Sequence, residues 1–288
     1  MGGEDLSEAR PRSPTVRRRE LGTLLRALRT ERGLTAEEVA ERLLCSPAKV
    51  SRMETGHRGA TARDVRDLCD LFGVSDPAQR DHLMSLAREG KTRGWWQPFE
   101  LPYATYVGLE AEAISIRSFE ADVIPGLLQT RDYARALHES ATPRLPAEVI
   151  DQRIEVRVTR QALLSGARPL RLVSILDEAV LRRVVGGRSV MHGQIEHIVS
   201  ACGKRNVTVQ VIPFVAGAHP ALNSPFTIIE LEAPVPSVVY VESLAGQIYM
   251  ERTEDIKRYE QIFDNLCTIA MGQNDSIKLM MKFLLSLT

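Results

Sequence analysis

The run Cys45-Ser-Pro-Ala-Lys-Val-Ser-Arg-Met-Glu-Thr-Gly56 sets two cations three residues apart behind a Ser-Pro helix start. Ser46 suits an N-cap, because its hydroxyl can accept from a free amide of the first turn, and Pro47 suits the first helical position. If Val50 and Met53 face inward, then Pro47, Ala48, Lys49, Ser51 and Arg52 face outward from the same helix. That outward set has the chemistry of base-edge readout. The guanidinium of Arg52 can meet guanine O6 and N7 with two donors, Lys49 can meet the same atoms or a phosphate, and Pro47 and Ala48 can touch a thymine methyl. Around them Thr35, Ser46, Ser51, His57, Arg58 and the Arg17-Arg18-Arg19 cluster carry donors suited to phosphate oxygens, a solvated helix start being an equal alternative for the arginine cluster. Two exposed cations on their own are ordinary solvated charges, so the case rests on the elements that position them.

Those elements are helical from Val16 to Ala87. Leu21, Leu24, Leu25 and Leu28 form an apolar stripe that stops at Arg32-Gly33. Thr35-Ala-Glu-Glu38 is a capping box, followed by Val39, Ala40, Leu43 and Leu44. Thr61 to Phe72 and a helix opened by Asp76-Pro77 complete five short helices, an all-α module. Residues 36–55 fit a helix-turn-helix. Val39, Ala40 and Leu43 give the first helix its inner face, Val50 and Met53 face them, and Cys45 fills the turn.

Leu34-Thr-Ala-Glu-Glu-Val-Ala-Glu-Arg-Leu43 and Val50-Ser-Arg-Met-Glu-Thr-Gly56 resemble the XRE, phage-repressor-like helix-turn-helix family over residues 16–75. Two positions depart from the pattern. Ala36 stands where that family usually has a phosphate-gripping Gln, and Leu44 stands where the turn usually has Gly. One such unit covers a few base pairs, so a homodimer on two half-sites of a double-stranded operator is expected.

Lys91 to Pro102, with both tryptophans and two prolines, reads as a junction. Helices are expected at 106–119, 127–137 and 147–164. From Pro169 the period changes: 170–176 and 207–214 read as strands around a helix at 190–201, a parallel pair with a right-handed crossover. Strands at 226–231, 238–241 and 248–250 and helices at 256–270 and 277–287 follow. The second half is therefore α+β or α/β with a mixed sheet. Asp177-Glu178 at a strand end and His219-Pro220 in a Gly/Ala loop are candidates to line one cleft at the carboxyl ends of the parallel strands, and Asp177, His219 and Glu242 are candidates to contact a ligand or partner.

No catalytic constellation emerges. His192 and His197 are five apart and do not share a helix face as a metal pair needs, and Val185-Gly186-Gly187 lacks the lysine of a phosphate loop. Four cysteines show no CxxC pairing and read as reduced thiols. No enzyme activity, metal or cofactor is expected. Net charge is zero; residues 1–94 carry 18 Lys and Arg against 15 Asp and Glu, and the remainder 19 against 22, so basicity excludes and implies nothing by itself. No signal peptide or apolar span is present, and a cytoplasmic protein is expected.

The strings Val123-Ile-Pro-Gly-Leu-Leu-Gln-Thr130, Leu176-Asp-Glu-Ala179, Gly217-Ala-His-Pro220 and Val239-Tyr-Val-Glu242 resemble an uncharacterised domain that follows an XRE unit in actinobacterial regulators, including WhiJ-like ones. The resemblance implies a transcription regulator with a small partner protein encoded beside it, some relatives being antitoxin-like toward that partner. The domains expected are a disordered 1–15, a helix-turn-helix domain at 16–90, a linker at 91–102, and a dimerisation, sensing or partner-binding domain at 103–288. The alternatives are a protein acting mainly as an antitoxin and a DNA-tethered enzyme.

Overall fold

The computed structural model describes residues 13–287. The lead-in expected at 1–15 lies outside the described residues up to Arg12. Ser13 is buried and precedes a helix that begins at Pro14, where proline's missing N–H costs nothing.

The chain divides into two compact units. The first comprises residues 1–112 together with Leu231–Pro236. Its helices are α1 (Pro14–Glu31), α2 (Ala36–Arg42), α3 (Pro47–Glu54), α4 (Ala62–Leu71), α5 (Pro77–Glu89) and α6 (Ala104–Glu110). Punctuation is local throughout. Thr35 and Thr61 close capping boxes with Glu38 and Asp64, Ser46 caps α3, and Asp76 caps α5. Gly33 and Gly73 take the left-handed conformation just past α1 and α4. Leu21, Leu25, Val39, Ala40, Val50, Met53, Val65, Leu68, Phe72, Leu83 and Leu86 share one core. The unit runs beyond the expected linker at 91–102, because Trp96 and Leu101 are themselves buried.

The second unit comprises residues 113–230 and 237–288. It holds β1 (Ser115–Glu120), α7 (Arg131–Glu139), α8 (Ala147–Gln161), β2 (Arg171–Asp177), α9 (Glu178–Arg182), α10 (Arg188–Ala201) and β3 (Val207–Ile212). Then come β4 (Phe226–Glu230), β5 (Val238–Ser243), β6 (Gly246–Met250), α11 (Thr253–Ile269) and α12 (Gln273–Leu287). The strands form one mixed sheet in the order β3-β2-β1-β4-β5-β6. β1, β2 and β3 are parallel, whereas β4, β5 and β6 pair antiparallel.

One expectation fails here. The helix read over 106–119 ends at Glu110, and Ser115–Glu120 is a central strand, so three strands are parallel rather than two. A strand covered on both faces lacks simple alternation. Its polar Ser118 is buried and hydrogen-bonds Ser174 of β2 at 3.0 Å, which disguises the element further. One face of the sheet packs Phe119, Ile175, Phe226, Ile228 and Val239 with Phe263 and Leu266 of α11. The outer side of β3 is closed by the turn between α11 and α12. The Val211 amide donates to Ser276 Oγ at 3.0 Å, and the Val211 carbonyl accepts from the Met271 amide at 2.9 Å.

Candidate nucleic-acid interface

The pairing of α2 with α3 rests on fully buried side chains. Val39 is 0 % exposed, Ala40 1 %, Val50 1 % and Met53 2 %. Because Val50 and Met53 are fixed inward, helical spacing forces Pro47, Ala48, Ser51 and Arg52 to the solvent side, and all four are exposed. The turn between the helices carries the cost anticipated at Leu44, which adopts φ 49° with its side chain in solvent. α1 holds α3 from behind at close range. A Cβ on Gly22 would lie 2.5 Å from the Glu54 carbonyl oxygen, so no larger residue fits without moving the helices apart. Arg29 of α1 forms a two-pronged ion pair with Glu54, at 2.6 and 2.9 Å, and donates to the Leu34 carbonyl at 2.7 Å. α1, α2 and α3 are thereby locked as one rigid reading head.

The two cations of α3 behave differently. Arg52 donates from Nε to the carbonyl of Ala48 at 3.2 Å, and its side chain is exposed. Lys49 is half-buried, and its Nζ lies 2.6 Å from Oδ1 of Asp64 at the start of α4. Burial works to raise the Asp64 carboxyl, but hydrogen bonds from Lys49 and from the backbone and hydroxyl of Thr61 hold it below the usual carboxylate range.

The expected phosphate contacts divide in the same way. Thr35, Ser46, Ser51, His57 and Arg58 are all exposed. The Thr35 and Ser46 hydroxyls each accept a cap hydrogen bond, at 3.2 Å, leaving a hydroxyl hydrogen to give outward. His57 Nδ1 sits 2.9 Å from Thr55 Oγ1. The arginine cluster is a correction. Arg17 pairs with Glu20 and Glu112, Arg18 donates to the Gly90 carbonyl at 3.1 Å, and Arg19 is buried at 5 % exposure against Gly56. Burial, and then its neighbour Arg19, press the Arg18 pKa below the ordinary arginine value. These three side chains hold α1 within the unit.

Two residues beside the candidate interface escaped sequence reading. Arg26 of α1 and Thr55, just past α3, line a shallow notch with Arg29, Ala36, Ser51 and Glu54. The small side chain of Ala36 leaves the notch open. Its only acid, Glu54, is already neutralised by Arg29, so Arg26 gives the notch a net positive charge. No spacing rule joins Arg26 to Ser51; the helix crossing at Gly22 does.

In the second unit, strand alternation separates the three candidates. Asp177 Oδ1 caps α9 by accepting from the Ala179 amide at 2.7 Å, and its Oδ2 lies 3.7 Å from His219 Nε2. The His219 ring meets Phe119 edge-on with centroids 5.2 Å apart. Glu242 does not join them. Tyr240 stands across from Thr227 and Thr227 across from Ser118, so Glu242 shares the opposite face with Tyr240 and Glu120. There burial, reinforced by Glu242 and Asp122, raises the Glu120 carboxyl to about 8. Glu120 is thus a titratable group outside the site candidates named above, and its surroundings depend on β1 being central. Among the described residues no group of three His, Cys, Asp or Glu side chains lies close enough to hold a metal ion. No helix among them is long and apolar enough to cross a membrane.

A rigid α1–α2–α3 head with an exposed α3 defines a helix-turn-helix DNA-binding module of the XRE-like regulator type, and residues 20–83 match the model of a helix-turn-helix domain. Residues 103–282, more than half of the chain, match the model of a domain of unknown function, DUF5753, and the chain belongs to that family. No curated protein and no solved structure matches the chain.

Proposed function

We propose that this protein is a sequence-specific transcription regulator that binds its operator as a homodimer, the second unit serving dimerisation and the sensing of a ligand or a small partner protein. The observation that carries the reading is the outward set of α3: Arg52, Ser51, Ala48 and Pro47 are exposed on a helix whose other side is clamped by Val50, Met53 and the Gly22 crossing. Arg52 supplies the two-donor contact that distinguishes guanine. Ser51, Thr35, Ser46, His57, Arg58 and the Arg26 notch surround it with donors for the two flanking backbones.

Enrichment of binding sequences from a random duplex pool tests this directly. Arg52→Ala is expected to cost about 1–3 kcal/mol at one base position, with little change on mismatched DNA. An equal loss on enriched and random duplexes would make Arg52 a backbone contact. Homodimerisation predicts two half-sites about 34 Å apart. Sedimentation that finds a monomer both free and on the enriched duplex would remove the dimer from the proposal. Enrichment of nothing, together with tight capture of a small protein, would favour the antitoxin-like reading.

A further inference from the structure

We infer that Lys49 reads no base: it is a positioning residue, anchored to Asp64, that fixes the angle of α3 and leaves direct readout to Arg52 and the apolar pair Pro47 and Ala48. The inference rests on the DNA-binding reading above and adds to it the kind of half-site the protein should choose.

Lys49 occupies the third position of α3, within the turn where the helix dipole disfavours a cation. Its ammonium finds compensation in a carboxylate on another element. Asp64 Oδ1 receives Lys49 Nζ at 2.6 Å, while Oδ2 receives the Thr61 amide at 2.8 Å and the Thr61 hydroxyl at 2.7 Å. Both oxygens of Asp64 are therefore engaged, Oδ2 within the cap of α4 and Oδ1 by the ammonium that ties α3 to it. The pair is sheltered, with side-chain exposures of 25 % for Lys49 and 15 % for Asp64. Withdrawing Lys49 toward a base would strip Asp64 of its cation and leave a carboxylate facing the phosphate backbone. Such a movement opposes binding on two counts.

The outer face of α3 then has a different composition from the one its sequence suggests. One exposed cation, Arg52, remains beside Ser51, and the N-terminal end presents the aliphatic surfaces of Pro47 and Ala48. Neither of those side chains can hydrogen-bond a base edge; both can pack on the 5-methyl of thymine. The chemistry fits a half-site with one guanine under Arg52 and thymine methyls under Pro47 and Ala48.

The test uses the full chain, a duplex enriched from a random pool, and binding measured over a range of salt concentrations. Lys49→Met is expected to keep the base preference at every position and the salt dependence of the wild type, while binding about three- to tenfold more weakly. Lys49→Arg, which can still reach Asp64, is expected to restore affinity with the same preference. Asp64→Asn is expected to behave as Lys49→Met, and the double variant to be no weaker than the weaker single one. Circular dichroism at the assay temperature selects the folded variants for comparison. Replacing thymine by uracil at the preferred positions removes the methyl, and is expected to weaken wild type and Lys49→Met alike. Loss of preference at one base pair in Lys49→Met, or a salt slope smaller by about one phosphate contact, would overturn the inference. A wild-type chain that enriches no sequence would overturn the DNA-binding reading, and the inference with it.

Discussion

The two units place their polar chemistry in opposite ways. In the helical unit Thr35, Ser46, Ser51, Arg52, His57 and Arg58 are exposed on a head whose apolar contacts are sealed behind them. In the sheet unit the groups with unusual surroundings lie toward the carboxyl ends of the strands: buried His219 with half-buried Asp177 on one face, and half-buried Glu120 with buried Tyr240 and exposed Glu242 on the other. An exposed polar surface competes with water and salt for a large charged ligand, whereas an enclosed carboxyl answers to protons. Salt should therefore act on the function of the first unit and pH on the stability of the second.

That contrast can be broken by a large perturbation of one unit. Both tryptophans, Trp95 and Trp96, lie in the first unit, so their fluorescence follows it alone, while far-ultraviolet circular dichroism follows both. Phe119→Ala removes a side chain with no solvent exposure from the sheet core and is expected to cost about 3–5 kcal/mol. The urea transition seen by circular dichroism should move to lower concentration while the tryptophan transition stays. Parallel movement of both would show that the units unfold together.

A pH titration sharpens the comparison next. The Glu120 carboxyl, raised to about 8, keeps its proton in the fold through a range where the unfolded chain has released it. The stability it supports is complete at pH values below the ordinary glutamate range and is lost as pH rises to about 8. Thermal unfolding of the sheet unit should thus fall in temperature across that window, and Glu120→Gln should flatten the decline. An unchanged slope in the variant would assign the pH response to another group.

Smaller effects probe the head. Gly22→Ala, which would stabilise an unconstrained helix, is expected instead to destabilise by about 1–3 kcal/mol, because the new methyl meets the Met53 and Glu54 carbonyls. Leu44→Gly is expected to stabilise by about 1 kcal/mol, by relieving the positive φ of a residue whose side chain packs on nothing. Tryptophan-detected urea unfolding measures both, and a Leu44→Gly variant less stable than wild type would mean that the turn is not strained.

The same contrast explains what could be read in the chain. The starts of α2 to α5 are marked within four residues, by Thr35 with Glu38, Ser46-Pro47, Thr61 with Asp64, or Asp76-Pro77, whereas α1 begins at Pro14 inside the lead-in expected to be disordered. The outward face of α3 follows from those marks and the positions of Val50 and Met53. What stayed hidden depends on partners distant in sequence: Asp64 capturing Lys49, Glu112 holding Arg17, and the notch joining Arg26 to Ser51. In the second unit β1 is legible only through its neighbours. Its six residues pair with β2, 56 positions downstream, and five of them with β4, more than 100 positions downstream. Which face of the sheet Asp177 and Glu242 take follows only from the register.

The covering of β3 has a consequence for the end of the chain. Ser276 and Met271 occupy the outward backbone groups of Val211, and Gln210 Nε2 donates to the Met271 carbonyl at 3.0 Å. The last helices thus act as a cuff on a strand rich in valine, a sequence that would otherwise invite a foreign strand to add itself. A chain cut short before Met271 should keep its reading head and lose its solubility.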